Sequence, residues 1–337
     1  MSEPMEFTGE RFTPECVREI WYEHLHRYAL AAPLVDGLRV LDGACGEGYG
    51  AALLARSAAT VSAVDVSAEA VAHARERYGA LDNLSFHEAD VTRLPFEEDH
   101  FDVVISFETL EHLEAQDAML AEFRRVLKPE GFLLISSPDR AVYTDLQGND
   151  NPHHVRELYR DEFEALLGRH FPAVEMLGQK LMFHSVIWSF GTPRTVALQQ
   201  ARDETVHRSA EVPHAATYLL ALCAAEAERL PRLSADLWLF DDREESVYDH
   251  YHGEIRRNMA AGGILAERDA EIERLKAALD EARAQARNAA AQVPQQEQQE
   301  QQEQQQQQQQ QNQREQSRRR DSRSWWQRWL GRSDYGT

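Results

Sequence analysis

The chain has 337 residues, 42% of them apolar, and 36 basic against 57 acidic side chains leave a formal charge of −21, so its body is a poor partner for nucleic-acid phosphates. Cys16, Cys45 and Cys223 are too few and too scattered for a disulfide framework or a metal knuckle, and no metal-ligating set is read. No apolar run approaches the roughly 20 residues that span a bilayer, and residues 1–10 are acidic rather than signal-like, so a cytoplasmic protein is expected.

In chain order, Gly9-Glu10-Arg11-Phe12 and the aromatic and charged stretch from Trp21 to Tyr28 form an N-terminal segment, residues 1–36. It reads either as a lid over a bound ligand or as an amphipathic helix packing Trp21, Leu25 and Tyr28 on the body, and both can hold together. Residues 38–137 alternate short apolar runs with helical patterns, the form of a βαβ sheet with helices on both faces. Strands are expected at Leu38–Asp42, Val61–Asp65, Leu84–His87, Phe101–Phe107 and Phe132–Ser136, all apolar as a buried parallel sheet requires. Ser67 caps a helix over Ala68–Tyr78, with Ala70 where a capping box would have Glu. Residues 161–190 read as a helix followed by strands, residues 191–213 are polar and ambiguous, and Ala216–Ala224 reads as a further buried strand that completes the sheet.

Beyond a main domain over residues 37–260, Leu265, Ile272, Leu275 and Leu279 begin a heptad-like spacing over residues 264–293, read equally as a coiled coil that self-associates or as a solvated helix. Every residue from Gln295 to Gln311 is Gln or Glu, within a linker over residues 294–317 expected to be flexible or loosely helical. The last 25 residues carry seven Arg against three acids. If helical, residues 318–337 place Trp325, Trp326, Trp329 and Leu330 on one arc with Arg328 and Arg332 opposite, the pattern of a peripheral membrane or partner-protein anchor; a disordered tail with chance aromatics is the other reading.

The chemistry concentrates in Val40-Leu41-Asp42-Gly43-Ala44-Cys45-Gly46-Glu47-Gly48-Tyr49-Gly50, a strand running into a glycine-rich turn and a helix starting near Ala51. Glycine lets backbone approach a ligand closely, and a carboxylate at the strand end can order the loop and meet a cationic amino group. Gly46 to Ala51 also satisfies a dinucleotide G-x-G-x-x-A pattern, so the loop alone does not choose the nucleotide. Asp65 closes the second strand, where an acid can take both ribose hydroxyls and Val66 follows it. Asp90 and Val91 follow the third strand, where they can meet an adenine edge or, for Asp90, cap a turn. Phe107, Glu108, Glu111 and His112 follow the fourth strand, and Leu127-Lys128-Pro129-Glu130-Gly131 precedes the fifth.

In these ordered motifs the chain, from about Gly9 to Phe171, closely resembles the class I S-adenosylmethionine-dependent methyltransferases. The resemblance implies a Rossmann-like, doubly wound α/β sheet with S-adenosyl-L-methionine as cofactor. It places Asp42, Gly43, Ala44, Cys45, Gly46, Gly48, Asp65, Val66, Asp90, Val91, Phe107 and Glu108 around that cofactor. Lys-Pro-Glu-Gly stands where many members have a second Gly, a change that needs only a loop adjustment.

Methyl transfer to a hydroxyl is helped by a positioned base, and His154, in Asn151-Pro152-His153-His154-Val155-Arg156-Glu157, is the first candidate. Glu157, one turn on if the segment is helical, would orient it, with a surface pair as the other reading; His112 is the second candidate base. The N-terminal segment and the Asn-x-x-His-x-x-Glu run resemble a bacterial subgroup found in polysaccharide and glycan biosynthesis. That implies a sugar hydroxyl on a glycan or lipid-linked saccharide and an enzyme parked at the inner membrane by its tail. An O- or N-methyltransferase of a small metabolite such as a quinone, and an inactive scaffold of the same fold, are the rivals.

Overall fold

A computed structural model of the chain describes residues 19–182, 184, 186, 198–202, 205–209, 211–241 and 245–330. The Gly9 to Phe12 motif and Arg332 lie outside them, as do the side chains of Trp325, Trp326, Arg328, Trp329 and Leu330. Contacts divide the chain into two units, residues 1–251 and 252–337.

The first unit begins with helix α1 (Glu19–Ala31) and continues as β1 (Arg39–Gly43), α2 (Tyr49–Leu54), β2 (Thr60–Asp65), α3 (Ala68–Tyr78), β3 (Leu84–Glu88) and β4 (Phe101–Ser106). It goes on through α4 (Gln116–Val126), β5 (Leu127–Pro138), the single turn α5 (Arg140–Tyr143), α6 (Arg160–His170) and β6 (Ala173–Gln179). A separate antiparallel pair, β7 (Leu198–Arg202) and β8 (Thr205–Ser209), precedes β9 (Tyr218–Ala224). The main sheet has the order β3-β2-β1-β4-β5-β9-β6. Its first five strands are parallel, whereas β9 runs antiparallel to both β5 and β6.

Both faces of this sheet are buried, which is why the parallel strands read as unbroken apolar runs. Val40, Val103 and Ile105 face a core closed by Tyr28 and Ala31 of α1, Leu54 of α2 and Val71 of α3. Leu41, Val104 and Leu133 face a second core closed by Met119, Leu120 and Phe123 of α4 and Phe163 and Leu167 of α6. Ser67 caps α3 by accepting the Ala70 N–H at 3.3 Å, as the sequence indicates. The strand expectations hold to within one or two residues, except that β5 is extended at both ends, β9 starts at Tyr218 rather than Ala216, and α2 starts at Tyr49. The polar residues 191–213 contain the β7–β8 pair, whose alternation is too polar to announce a strand.

Helix α7 (Ser246–Leu330) makes up nearly all of the second unit and includes the Gln/Glu tract, so the described backbone there takes the helical and not the flexible form expected of it. No helix among the described residues is long and apolar enough to cross a membrane.

Strand order reverses between β1 and β4, and in open α/β sheets that switch point opens a crevice at the carboxyl ends of the strands. The floor of the crevice depends on α1 lying close to α2: a Cβ added to Gly50 would sit 2.0 Å from the Tyr28 ring. Gly50→Ala should therefore push Tyr28 aside and destabilise the protein by roughly 1–3 kcal/mol, the ordinary cost of overpacking. A urea denaturation midpoint equal to that of the wild type would contradict this packing.

Candidate active site

After β1 the chain turns through Ala44 (φ 64°), Gly46 (φ 57°) and Gly48 (φ 87°) into α2. At Gly48 both the dihedral and the space demand glycine, since a Cβ would lie 2.6 Å from the Phe86 ring. The Cys45 N–H donates to the Val64 carbonyl at 2.8 Å, and the Gly46 N–H donates to Asp65 Oδ2 at 2.9 Å. Asp65 Oδ1 accepts the Ser67 N–H at 2.9 Å, so this carboxylate clamps the β1 loop to the end of β2. Sequence reasoning gave Asp65 a ligand role alone and missed this one. It also missed Glu47, which is buried and anchors the loop to α3 through His73 Nε2 at 2.9 Å and Arg77 at 3.5 Å.

Asp42 lies beneath the loop, fully buried, with the Tyr28 hydroxyl donating across both its oxygens at 3.2 and 3.3 Å. Burial pushes its carboxyl up to about 7, the Tyr28 hydrogen bond opposes the rise and the nearby Asp65 charge adds to it. Tyr28 in turn packs edge-on against Phe107 with ring centroids 5.0 Å apart. Next along the edge, Val66 is 73% exposed, an apolar surface beside Asp65 on which a flat ring can lie. Val91 is buried, whereas Asp90 is exposed and Asp90 Oδ1 accepts both the N–H and the hydroxyl of Thr92 at 2.8 Å, the turn-capping role.

At the end of β4, Glu108 adopts φ 50°. Ser136 of β5 donates its hydroxyl to Glu108 Oε1 at 2.6 Å, and Arg27 of α1 lies 3.7 Å from the same oxygen. Arg27 is 1% exposed, donates to Gln179 Oε1 at 2.8 Å and stacks over the Tyr218 ring at 4.9 Å. Its Nε and second terminal nitrogen are buried and donate no hydrogen bond among the described residues. Glu108 faces one terminal nitrogen only, and buried donors left without an acceptor are costly, so this position suits a ligand carboxylate. Nothing in the linear sequence marks it, because Arg27 meets Gln179 and Glu108 only through the fold.

The expected catalytic residues do converge. The Asn151 to Glu157 segment is not helical, contrary to the assumption that would set Glu157 one turn after His154. Instead the Val155 and Arg156 N–H groups donate to the Glu111 carbonyl at 2.8 and 3.0 Å, and the Gln116 amide nitrogen donates to the Leu110 and Arg156 carbonyls at 3.0 and 2.9 Å. This docks the segment on the turn after β4, and there His154 Nδ1 meets Glu157 Oε1 at 2.5 Å while the Thr144 hydroxyl donates to Glu157 Oε2 at 2.5 Å. The His112 and His154 ring centroids are 5.0 Å apart. Glu111, quoted in the sequence without a role, is 1% exposed; burial holds its carboxyl well above the usual range, with the Glu108 charge adding to the rise.

A separate cavity of about 600 Å³ is lined by apolar side chains including Leu30, Met176, Leu219 and Trp238, with Arg27 and Asp139 among its polar walls. Arg27 thus belongs both to the Glu108 cluster and to a space large enough for an organic acceptor.

The folded state holds the Asp42 proton to about pH 7, whereas an unfolded chain releases it near pH ~4, so the contribution of Asp42 favours folding at low pH and is lost as pH rises through 7. Asp42→Asn removes that loss. Its unfolding free energy, measured without ligand, should gain on the wild type by a few kcal/mol between about pH 4 and pH 8. A difference that does not change with pH would show that Asp42 ionises normally.

Residues 41–135 match the family model described as a methyltransferase domain. A probable S-adenosylmethionine-dependent methyltransferase of Mycobacterium tuberculosis is 39% identical over 165 residues, 48% of this chain and 58% of that protein. A fatty-acid O-methyltransferase of Mycolicibacterium smegmatis is 34% identical over 40% of this chain and 50% of its own length, and a demethylmenaquinone methyltransferase of Clavibacter sepedonicus is 43% identical over 30% and 41%. The chain thus spans about three-fifths or less of the length of these relatives. The segment that matches the methyltransferase domain contains the Asp42 loop, Asp65, Asp90 and the Glu108 to His112 turn.

Proposed function

We propose that the protein transfers a methyl group from S-adenosylmethionine to an oxygen of a small acceptor. The observation that carries this is the placement of the His154–Glu157 pair beside the end of the strand next to the one bearing Asp42, so that an acceptor-activating group and a nucleoside loop share one crevice edge. The cofactor supplies, when bound, a methyl group made electrophilic by its sulfonium. Asp42 and Asp65 offer negative charge to its cationic part and hydroxyls, Val66 offers a face to its base, and Arg27 offers two unused donors to its carboxylate.

Glu157 holds Nδ1 of His154 protonated, which leaves Nε2 able to take the acceptor hydroxyl proton as the acceptor oxygen bonds to the methyl carbon and the carbon–sulfur bond breaks. Acceptor O–H and the sulfonium cofactor thereby become a methyl ether, S-adenosylhomocysteine and a proton on His154. Much of the acceleration of such an in-line displacement comes from alignment and exclusion of water, which the buried walls at Phe107 and Tyr28 serve.

For the acceptor we favour a sugar hydroxyl on a glycan or lipid-linked saccharide. The cavity, whose walls set Leu30, Met176, Leu219 and Trp238 beside Arg27 and Asp139, supports an acceptor with a lipid-like part and a polar part, and the helical backbone up to Leu330 is compatible with an interfacial anchor in residues 318–337. The same cavity and the fatty-acid and demethylmenaquinone relatives favour a second reading, methylation of a lipid-like or quinone-like metabolite. In either case residues 1–36 would cover the cofactor and residues 264–293 would pair two copies.

Asp65→Ala should abolish binding of S-adenosylhomocysteine in calorimetry, because it releases the loop as well as the ribose. His154→Ala should keep that binding and lower turnover by about 10²- to 10⁴-fold, the usual loss for a missing general base. Full turnover of the His154 variant on an acceptor methylated by the wild type would remove His154 from the reaction, and absence of S-adenosylhomocysteine binding by the wild type would leave a scaffold.

A further inference from the structure

We propose that Glu111, His112 and His154 form a binding site for one divalent transition-metal cation, Zn²⁺ being the best match. One ligand atom from each of the three residues lies within 4.8 Å of the others. Tetrahedral zinc with bonds near 2.0–2.1 Å needs donor separations of roughly 3.3 Å, and small side-chain rotations supply the difference. Two imidazoles and one carboxylate that leave a fourth position open are a donor set used by catalytic zinc, and imidazole selects zinc-like ions over magnesium or calcium.

Two further observations point to a ligand. Glu111 Oε1 is buried and accepts no hydrogen bond among the described residues, although its partner oxygen, Oε2, accepts the Ser137 hydroxyl at 3.2 Å; His112 Nε2 lies 3.9 Å from Oε1. An orphaned carboxylate oxygen on a residue 1% exposed is what a cation would satisfy. The second observation is how the imidazoles are oriented. His112 Nδ1 faces the His153 carbonyl at 3.1 Å and His154 Nδ1 faces Glu157 Oε1 at 2.5 Å, and both oxygens are acceptors. Each Nδ1 must therefore carry the proton, so each neutral ring holds its lone pair on Nε2, and Glu157, itself fixed by Thr144, completes a carboxylate–histidine–metal relay.

The use of this site rests on the methyl transfer of Proposed function and replaces its base: a cation on His154 Nε2 occupies the lone pair that would take the acceptor proton, so in the loaded protein His154 is a ligand and not a base. The acceptor hydroxyl takes the open position, and its proton, made more acidic by the cation, leaves to solvent before the oxygen takes the methyl group.

The test uses the full chain freed of metal with a chelator. Calorimetry with Zn²⁺ alone should give one site per chain. Glu111→Gln should abolish it, and Glu157→Gln, which keeps all three ligands, should weaken it by about 10- to 100-fold. In parallel, Co²⁺ should give the visible absorption of a four-coordinate site, lost in His112→Ala, with circular dichroism reporting whether each variant is folded. Wild-type affinity for Zn²⁺ in folded Glu111→Gln or His112→Ala, or no Zn²⁺ binding by the wild type, would overturn the site. S-adenosylhomocysteine titrated into the same samples separates the two proposals, since its failure to bind beside an intact zinc site would overturn the methyltransferase reading and leave the cation site standing.

Discussion

A carboxylate with no exposure at the end of a parallel strand is the constraint around which this molecule is arranged. Asp42 is placed by β1 where water cannot reach it, and its neighbour Asp65 ends the adjoining strand β2. Burying one charge while a second lies nearby is unfavourable, which is why Asp42 holds its proton to about pH 7. A ligand bearing positive charge reverses that balance: it recovers the electrostatic energy that the fold gave up. The surrounding structure preserves the arrangement, with Tyr28 covering Asp42, Gly50 making room for Tyr28, and Asp65 fixing the loop by its two amide hydrogen bonds.

The same logic recurs at the ends of β4 and β5. Glu108 and Glu111 are carboxylates three residues apart, each hydrogen-bonded by a β5 serine, Ser136 and Ser137. Among the described residues Arg27 answers Glu108 with one nitrogen and keeps two nitrogens unused, while Glu111 keeps one oxygen unused. Such unmet groups are rare in a packed interior, and here they gather along one edge of one sheet. That edge is the place where an open α/β sheet takes its ligands, so the unmet groups and the topology point to the same crevice.

How much of this is legible in the sequence follows from where the information is stored. The five parallel strands are readable because burial on both faces leaves runs such as Val103-Val104-Ile105, and the loop from Asp42 to Gly50 is readable because its glycines answer a local backbone demand. The pairing of His154 with Glu157 is also reached from sequence, though for a reason the fold corrects, since docking on the Glu111 carbonyl and not a helical turn brings them together. Arg27 and Glu111 carry no local signal: a charged residue on an amphipathic helix or beside a strand end looks solvated until distant residues enclose it, Gln179 for Arg27 and Ser137 for Glu111. The β7–β8 pair is hidden likewise by polar alternation, and the Gln/Glu tract reads as spacer because nothing in it is apolar, although a helix needs no apolar face to propagate from one already formed.

The central claim is that the crevice over Asp42 and Asp65 accommodates an adenosine bearing a sulfonium, with the Glu111, His112 and His154 group beside the sulfur. A crystal structure of the full chain with S-adenosylhomocysteine measures this directly. The account predicts ribose hydroxyls on Asp65, the base against Val66, the amino-acid carboxylate at Arg27, and the sulfur directed toward the His154 side of the crevice. A nucleoside lodged elsewhere, or a crevice still closed by Tyr28 at saturating ligand, would contradict it.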